Sequence, residues 1–144
     1  MILQSDTLKI EVPRFDGLVK SFADNSKDLN ELTMLVLAGS ILIILSTDYI
    51  RPPERKARLI YLLFIPAWLC LVLSVYSNNH ILRKNAAYTF TNKPELKFEI
   101  CRDINNIYAN QLTTFQIAIV LLAVWLSSYL VWWIFDKSIK PKKN

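Results

Sequence analysis

The sequence predicts an all-α integral membrane protein with three transmembrane helices, and three observations carry that expectation. Residues 32–47, 59–79 and 113–135 contain no Asp, Glu, Lys, Arg or His. At about 1.5 Å of rise per residue, the second and third of these cross a hydrocarbon core of about 30 Å, and the first does so when it runs to Ile50. Basic residues crowd the short segment between the first two stretches and the tail after the third, the pattern that orients spans in a bilayer. A chain of 144 residues that commits so much of its length to lipid keeps too little for a separate globular domain, so one unit is expected. Its parts are an extramembrane N-terminal segment 1–31, spans at 32–50, 59–79 and 113–135, a basic connection 51–58, an extramembrane segment 80–112 and a basic tail 136–144.

Each element has its own local signal. In TLKIEV, Leu8, Ile10 and Val12 alternate with Lys9 and Glu11 before Pro13, a period of two that reads as a short strand. From Phe15 the period becomes helical through Phe15, Leu18, Val19, Phe22, Leu29 and Leu32, predicting an amphipathic helix that runs into the first span. A helix lying flat on the membrane is the alternative. Pro52 and Pro53 predict a sharp end to the first span, with the second following at once as an antiparallel hairpin.

Pro66, inside the second span, predicts a kink, read either as a packing feature or as a hinge. The YTFT run at 88–91 reads as extended and able to pair with TLKIEV in a two-stranded β element. Helix is expected from about Glu95 into the third span through Ile100, Ile104, Ile107 and Leu112, although Leu96, Phe98 and Ile100 also alternate as a strand would. The first and third spans would then carry helical extensions on one side of the membrane. Phe15, Leu18 and Phe22 on one extension, with Ile100, Ile104 and Ile107 on the other, form a candidate assembly surface, met by each other or by neighbouring copies.

Charge density sets the expected orientation. The connection and tail carry eight Lys and Arg, and the longer opposite side carries nine, offset by nine Asp and Glu. Density close to the spans is what counts, so the connection and C-terminus are expected to be cytoplasmic and the N-terminus outside. Arg51, Arg55, Lys56, Arg58, Lys140, Lys142 and Lys143 are candidate contacts for anionic headgroups, worth about 1 kcal/mol each near the surface. No removable signal peptide is expected, because residues 1–31 carry six acidic groups and lack an apolar core with a small-residue cleavage site.

Within the spans, Thr33, Ser40 and Thr47 recur every seven residues, with Gly39 and Ser46 alongside. Small residues on one stripe let helices approach closely in lipid, so these five are candidates for helix packing or a pore lining. Thr113, Gln116, Ala123 and Ser127 make a milder stripe on the third span. Trp125, Tyr129, Trp132 and Trp133 suit an interfacial aromatic belt, whereas Trp68 suits packing.

Motifs of catalysis and cofactor binding are missing. There is no phosphate-binding loop, HExxH or cysteine cluster, the lone His80 has no companions spaced for a metal, and the spans lack the ionisable groups that coupled transport requires. Cys70 and Cys101 lie in different parts of the chain, one in a span and one outside it, so no disulfide between them is expected. No cofactor, metal, catalytic residue or nucleic-acid partner is expected; a pI of about 9.3 reflects charge beside the spans.

The hairpin LAGSILIILSTDYIRPPERKARLIYLLFIPAWLCLVLSVY and the downstream NIYANQLTTFQIAIVLLAVWLSSYLVWW resemble small, mostly uncharacterised bacterial membrane proteins with three or four spans. Three spans and a lysine tail also resemble the plan of the simplest phage holins, from which the long N-terminal segment and residues 80–112 depart. The resemblance implies a bacterial inner-membrane protein. The resulting expectation is a non-enzymatic protein that self-assembles and permeabilises or conducts across the membrane, as in phage defence or lysis. The competing expectation is an accessory subunit anchoring a larger membrane complex.

Overall fold

A computed structural model of the chain describes residues 4–45 and 59–139, with side chains over 15–45 and 59–135. Helix α1 runs Gln4–Leu45. A 3-10 turn, Leu59–Leu63, leads directly into α2, Phe64–Phe90, and α3 runs Pro94–Ile139. Only residues 91–93 lie outside a helix among those described. At 42, 27 and 46 residues, the three helices are each longer than a hydrocarbon core is thick, about 63, 40 and 69 Å against about 30 Å. All three are apolar enough to cross a membrane, over Phe15–Leu45, Leu59–Phe90 and Pro94–Phe135, which makes this an integral membrane protein with helices that project beyond the lipid.

The expected β element is absent from the described residues. TLKIEV lies inside α1, and Tyr88 to Phe90 form the last turn of α2. Two reasons account for the difference. Leu8, Val12, Phe15 and Val19 are spaced four, three and four residues apart, so the run that alternates also satisfies a helical stripe. An isolated two-stranded ribbon is marginal, whereas a helix closes its own backbone hydrogen bonds. At YTFT, the Thr89 and Thr91 hydroxyls donate back to the carbonyls of Asn85 and Ala87 at 3.0 and 2.8 Å, holding these β-favouring residues to the helix end. The chain then turns extended, with the Thr91 N–H donating to the Tyr88 carbonyl.

Pro94 opens α3 where its missing N–H has no helical acceptor to leave empty, and Glu95 follows in the positive first turn. Leu96, Phe98 and Ile100 are therefore helical, and only Ile100 of the three is buried. Pro66 sits in the first turn of α2, just after the 3-10 stretch, rather than in mid-helix. It offers no N–H to the Leu62 carbonyl, four residues back, which suits a chain that enters α2 through a tighter turn. Pro13, which should have ended an element, is carried within α1.

Buried positions follow a heptad rhythm on all three helices. On α2 they are Phe64, Ala67, Leu71, Ser74, Asn78, Ile81 and Tyr88, and on α3 Ile104, Gln111, Ala118 and Trp125 fall seven apart. On α1, Val19, Ser26, Thr33 and Ser40 do the same. Steps of three and four residues are those of knobs-into-holes packing in left-handed bundles, so one three-helix seam continues from the membrane into the projecting part. Contacts across the seam set α1 and α3 parallel and α2 antiparallel: Ser26 meets both Asn78 and Gln111, and Thr33 meets Ser74.

Charged residues on α1 end at Glu31, those on α2 begin past Asn79, and those on the first part of α3 end at Asp103, with none again until Asp136. Beyond these levels the bundle forms a stalk. Its core is Val19, Ala23, Ile81, Tyr88, Ile100, Cys101 and Ile104, with Phe15, Phe22, Ile107 and Tyr108 packed against it. Edge-on contact of Phe15 with Phe98 at 5.9 Å, and a tilted contact of Phe22 with Tyr108 at 5.5 Å, join α1 to α3. Extensions of α1 and α3 were legible from their spacing, but α2 also extends, and its Ile81 and Tyr88 close the core.

Candidate functional site

Polar groups inside the bundle lie in three layers. In the first, at the junction of stalk and membrane, Ser26 Oγ is 2.6 Å from Gln111 Oε1 and 2.9 Å from Asn78 Oδ1. One hydroxyl has one proton, so it donates to Gln111, and the Asn78 amide completes the site when turned to donate its Nδ2–H to Ser26 Oγ. The Gln111 Nε2–H donates back to the Ser26 carbonyl at 3.2 Å. In the second layer, Thr33 donates to the Leu29 carbonyl at 2.7 Å and lies 3.5 Å from Ser74 Oγ, which in turn donates to the Gln111 carbonyl at 3.3 Å. In the third, the Trp68 Nε1–H donates to Ser40 Oγ at 2.8 Å, and Ser40 donates to the Leu37 carbonyl at 2.7 Å.

Of the five residues expected to pack helices or line a pore, Thr33 and Ser40 point into the protein's own core, and Ser46 and Thr47 lie outside the described residues. Gly39 stands beside the stripe; a Cβ there would meet nothing within 4 Å, so the α1 backbone is not pressed against a neighbour. Ser26 extends the heptad of Thr33 one step towards the N-terminus and was missed because it precedes the uncharged run. Ser74, Asn78 and Gln111 carried no signal of their own. Of the candidate assembly surface, Phe15, Phe22, Ile100, Ile104 and Ile107 come together within the stalk core, and Leu18 remains exposed. The lipid-contact candidates Arg51, Arg55, Lys56, Arg58, Lys140, Lys142 and Lys143 lie outside the described residues.

Two features face outward. Between α1 and α3, within the membrane-crossing part, an apolar groove of about 370 Å³ is lined by Gly39, Ser40, Ile43, Phe64, Ala123 and Trp125, among others. The Trp125 ring packs on Phe64 at 4.7 Å, on Tyr61 at 5.8 Å and on Tyr129 at 5.8 Å, so it belongs to an aromatic cluster inside the span. At the other end, the stalk tip displays Phe90, 86% exposed, together with Leu96 and Phe98. Beside the tip, Tyr88 donates its hydroxyl to Asp16 at 2.7 Å, and Lys97 approaches Asp16 at 3.8 Å and the Tyr88 ring centroid at 4.9 Å. Burial, and next the Asp16 carboxylate, push the Tyr88 phenol above its ordinary range; burial also raises the Cys101 thiol.

Among the described residues no three His, Cys, Asp or Glu are grouped to hold a metal. The interior layers consist of hydroxyls, amides and one indole, groups that hold a register but do not exchange protons near neutral pH. Compared with known proteins, the chain matches no family model, no curated protein and no solved structure.

Proposed function

We propose that this protein is a non-enzymatic accessory subunit of a bacterial inner-membrane complex, anchored by three helices and presenting its stalk to a partner outside the lipid. The observation that carries the reading is the apolar stalk tip. Phe90, Leu96 and Phe98 are exposed at the turn between α2 and α3, and α3 needs about 28 Å to climb from Thr113 to Pro94, so lipid does not cover them. Exposed aromatic clusters in water are characteristic of contact sites. The basic connection and tail favour a cytoplasmic C-terminus, which puts the stalk outside.

A self-assembling pore, the other reading, finds less support. Thr33 and Ser40, the polar members of the expected lining stripe among the described residues, are at most 4% exposed and are held by hydrogen bonds inside the bundle. The lipid-facing surface is instead built of side chains such as Leu35, Leu42, Ile65, Leu69, Val120 and Val131.

The test is purification in native lipid discs at endogenous expression, paired with a membrane-potential dye. The accessory reading expects a stoichiometric complex with another membrane protein, lost in a Phe90→Ser, Phe98→Ser variant that still folds and inserts, and no depolarisation. Depolarisation on expression, retained in that variant, would overturn it in favour of the pore.

A further inference from the structure

A polar cavity opens in the side of the stalk. Its volume of about 420 Å³ falls within the range of small-molecule sites, and it is lined by Asp16, Val19 and Lys20 of α1, Asn85 and Tyr88 of α2, and Lys97 of α3. Asp16 and Lys20 stand about 22 and 16 Å along α1 from Glu31, the last charge before the span, which is farther than lipid headgroups extend. An occupant therefore arrives from the aqueous side.

Donors around the cavity outnumber acceptors. The Lys97 side chain is only 22% exposed, yet its ammonium makes no hydrogen bond among the described residues. Asp16 Oδ1, its ion-pair partner, is 3.8 Å away and already accepts from the Tyr88 hydroxyl at 2.7 Å. The Tyr88 ring, 4.9 Å from Lys97 Nζ, offers a π face but no lone pair. Lys20 and the Asn85 side-chain amide also have no partner among the described residues. A largely covered ammonium without an acceptor is costly, and an anion's oxygens would meet it with charge-assisted bonds.

The balance of charge narrows the anion. Two ammonium groups line the cavity with one carboxylate, leaving one positive charge in excess. A monoanion suits that excess, whereas the second charge of a phosphate would be repelled by Asp16. Val19 and the Tyr88 ring add an apolar surface beside the donors.

We propose that this cavity binds a small organic acid. Its carboxylate is held by Lys97, Lys20 and the Asn85 amide, and its apolar body lies against Val19 and the Tyr88 ring.

Phenylacetate, titrated into the full chain in lipid discs, is the probe, read by calorimetry and by the Asn85 side-chain amide resonance. Saturable binding is expected, with phenylacetamide, which lacks the charge, and inorganic phosphate, which lacks the apolar body, each at least about ten-fold weaker. Lys97→Met should weaken phenylacetate binding about ten-fold or more, and Lys20→Met and Asn85→Ala about two- to five-fold each. The latter two side chains hold nothing within the fold, so their variants report on binding even where Lys97→Met loosens the stalk. Lys93→Met, which removes an exposed charge outside the cavity, should change nothing. No saturation up to about 50 mM phenylacetate, equal binding of phenylacetamide, or an equal loss in Lys93→Met overturns the proposal. Tighter binding of a capped peptide with one central glutamate would assign the carboxylate to a protein partner and overturn the free-acid reading. Neither Phe90 nor Phe98 lines the cavity, so their serine variants should bind phenylacetate as wild type does, and the two proposals fail separately.

Discussion

Ser26 and Gln111 hold each other at two points, hydroxyl to side-chain oxygen at 2.6 Å and side-chain amide to backbone carbonyl at 3.2 Å, across 85 residues of chain. This pair locks α1 to α3 where the stalk meets the membrane. A heptad seam of apolar residues tolerates sliding by one repeat, but a two-point polar clamp does not, so the pair sets the register of the bundle.

Gln111→Ala should therefore destabilise the protein by about 2–4 kcal/mol, since it opens a cavity and removes the side-chain bonds to the Ser26 hydroxyl and carbonyl, leaving only Asn78 beside that hydroxyl. Replacing the whole layer, as Ser26→Ala, Asn78→Leu and Gln111→Met together, should recover most of that loss, because no polar group is then stranded. Thermal unfolding in detergent measures both. A triple variant as unstable as Gln111→Ala would assign the layer an energetic role rather than one in register.

Ile104, fully buried, is the centre of the stalk core. Ile104→Ala should remove about 2–5 kcal/mol from the stalk. Hydrogen exchange should show faster exchange for amides of α1 15–31, α2 80–90 and α3 94–112, while lipid-embedded amides stay protected. Uniform loss of protection would mean that stalk and spans unfold as one unit.

Tyr88 gives the stalk a pH dependence at the alkaline end. Its phenol is raised above its ordinary value of 10.0, first by burial and then by its bond to Asp16. The folded state thus favours the neutral phenol, so the contribution is complete below about pH 10 and is lost as the pH rises beyond it. Tyr88→Phe should lower stability by about 1 kcal/mol at pH 7, a modest value because Asp16 is half exposed, and should flatten the decline above pH 10. Melting curves of both proteins between pH 7 and 11 make the comparison; parallel declines would place the sensitivity elsewhere.

Orientation can be read with single cysteines at Ser21 and Ser138 in a background without Cys70 and Cys101. Ser21 is exposed on the stalk. With the N-terminus outside, an impermeant thiol reagent should label position 21 on intact cells and position 138 only after lysis. The reverse pattern would turn the protein over and put the stalk in the cytoplasm.

The three spans and the helical extensions of α1 and α3 were legible in the sequence, because uncharged runs and 3.6-residue spacing are local signals. The strand reading of TLKIEV and YTFT went astray for the same local reason: over a few residues, periods of two and of three to four overlap. Burial of Tyr88 in one cluster with Val19 and Ile100, together with the back-bonds of Thr89 and Thr91, suits a helix end there rather than a strand.

The direction of each face was a matter for the tertiary structure alone. In water, apolar residues mark the core, and the stalk obeys that rule through Ile81, Ile100 and Ile104. In lipid, apolar side chains are equally at home on the outside, so hydropathy stops pointing inward and polar residues mark the interior. Thr33 and Ser40 could therefore be recognised as a stripe, but not as a core. Their partners Ser74, Trp68 and, through Ser26, Gln111 come from helices whose juxtaposition no single stretch of sequence encodes.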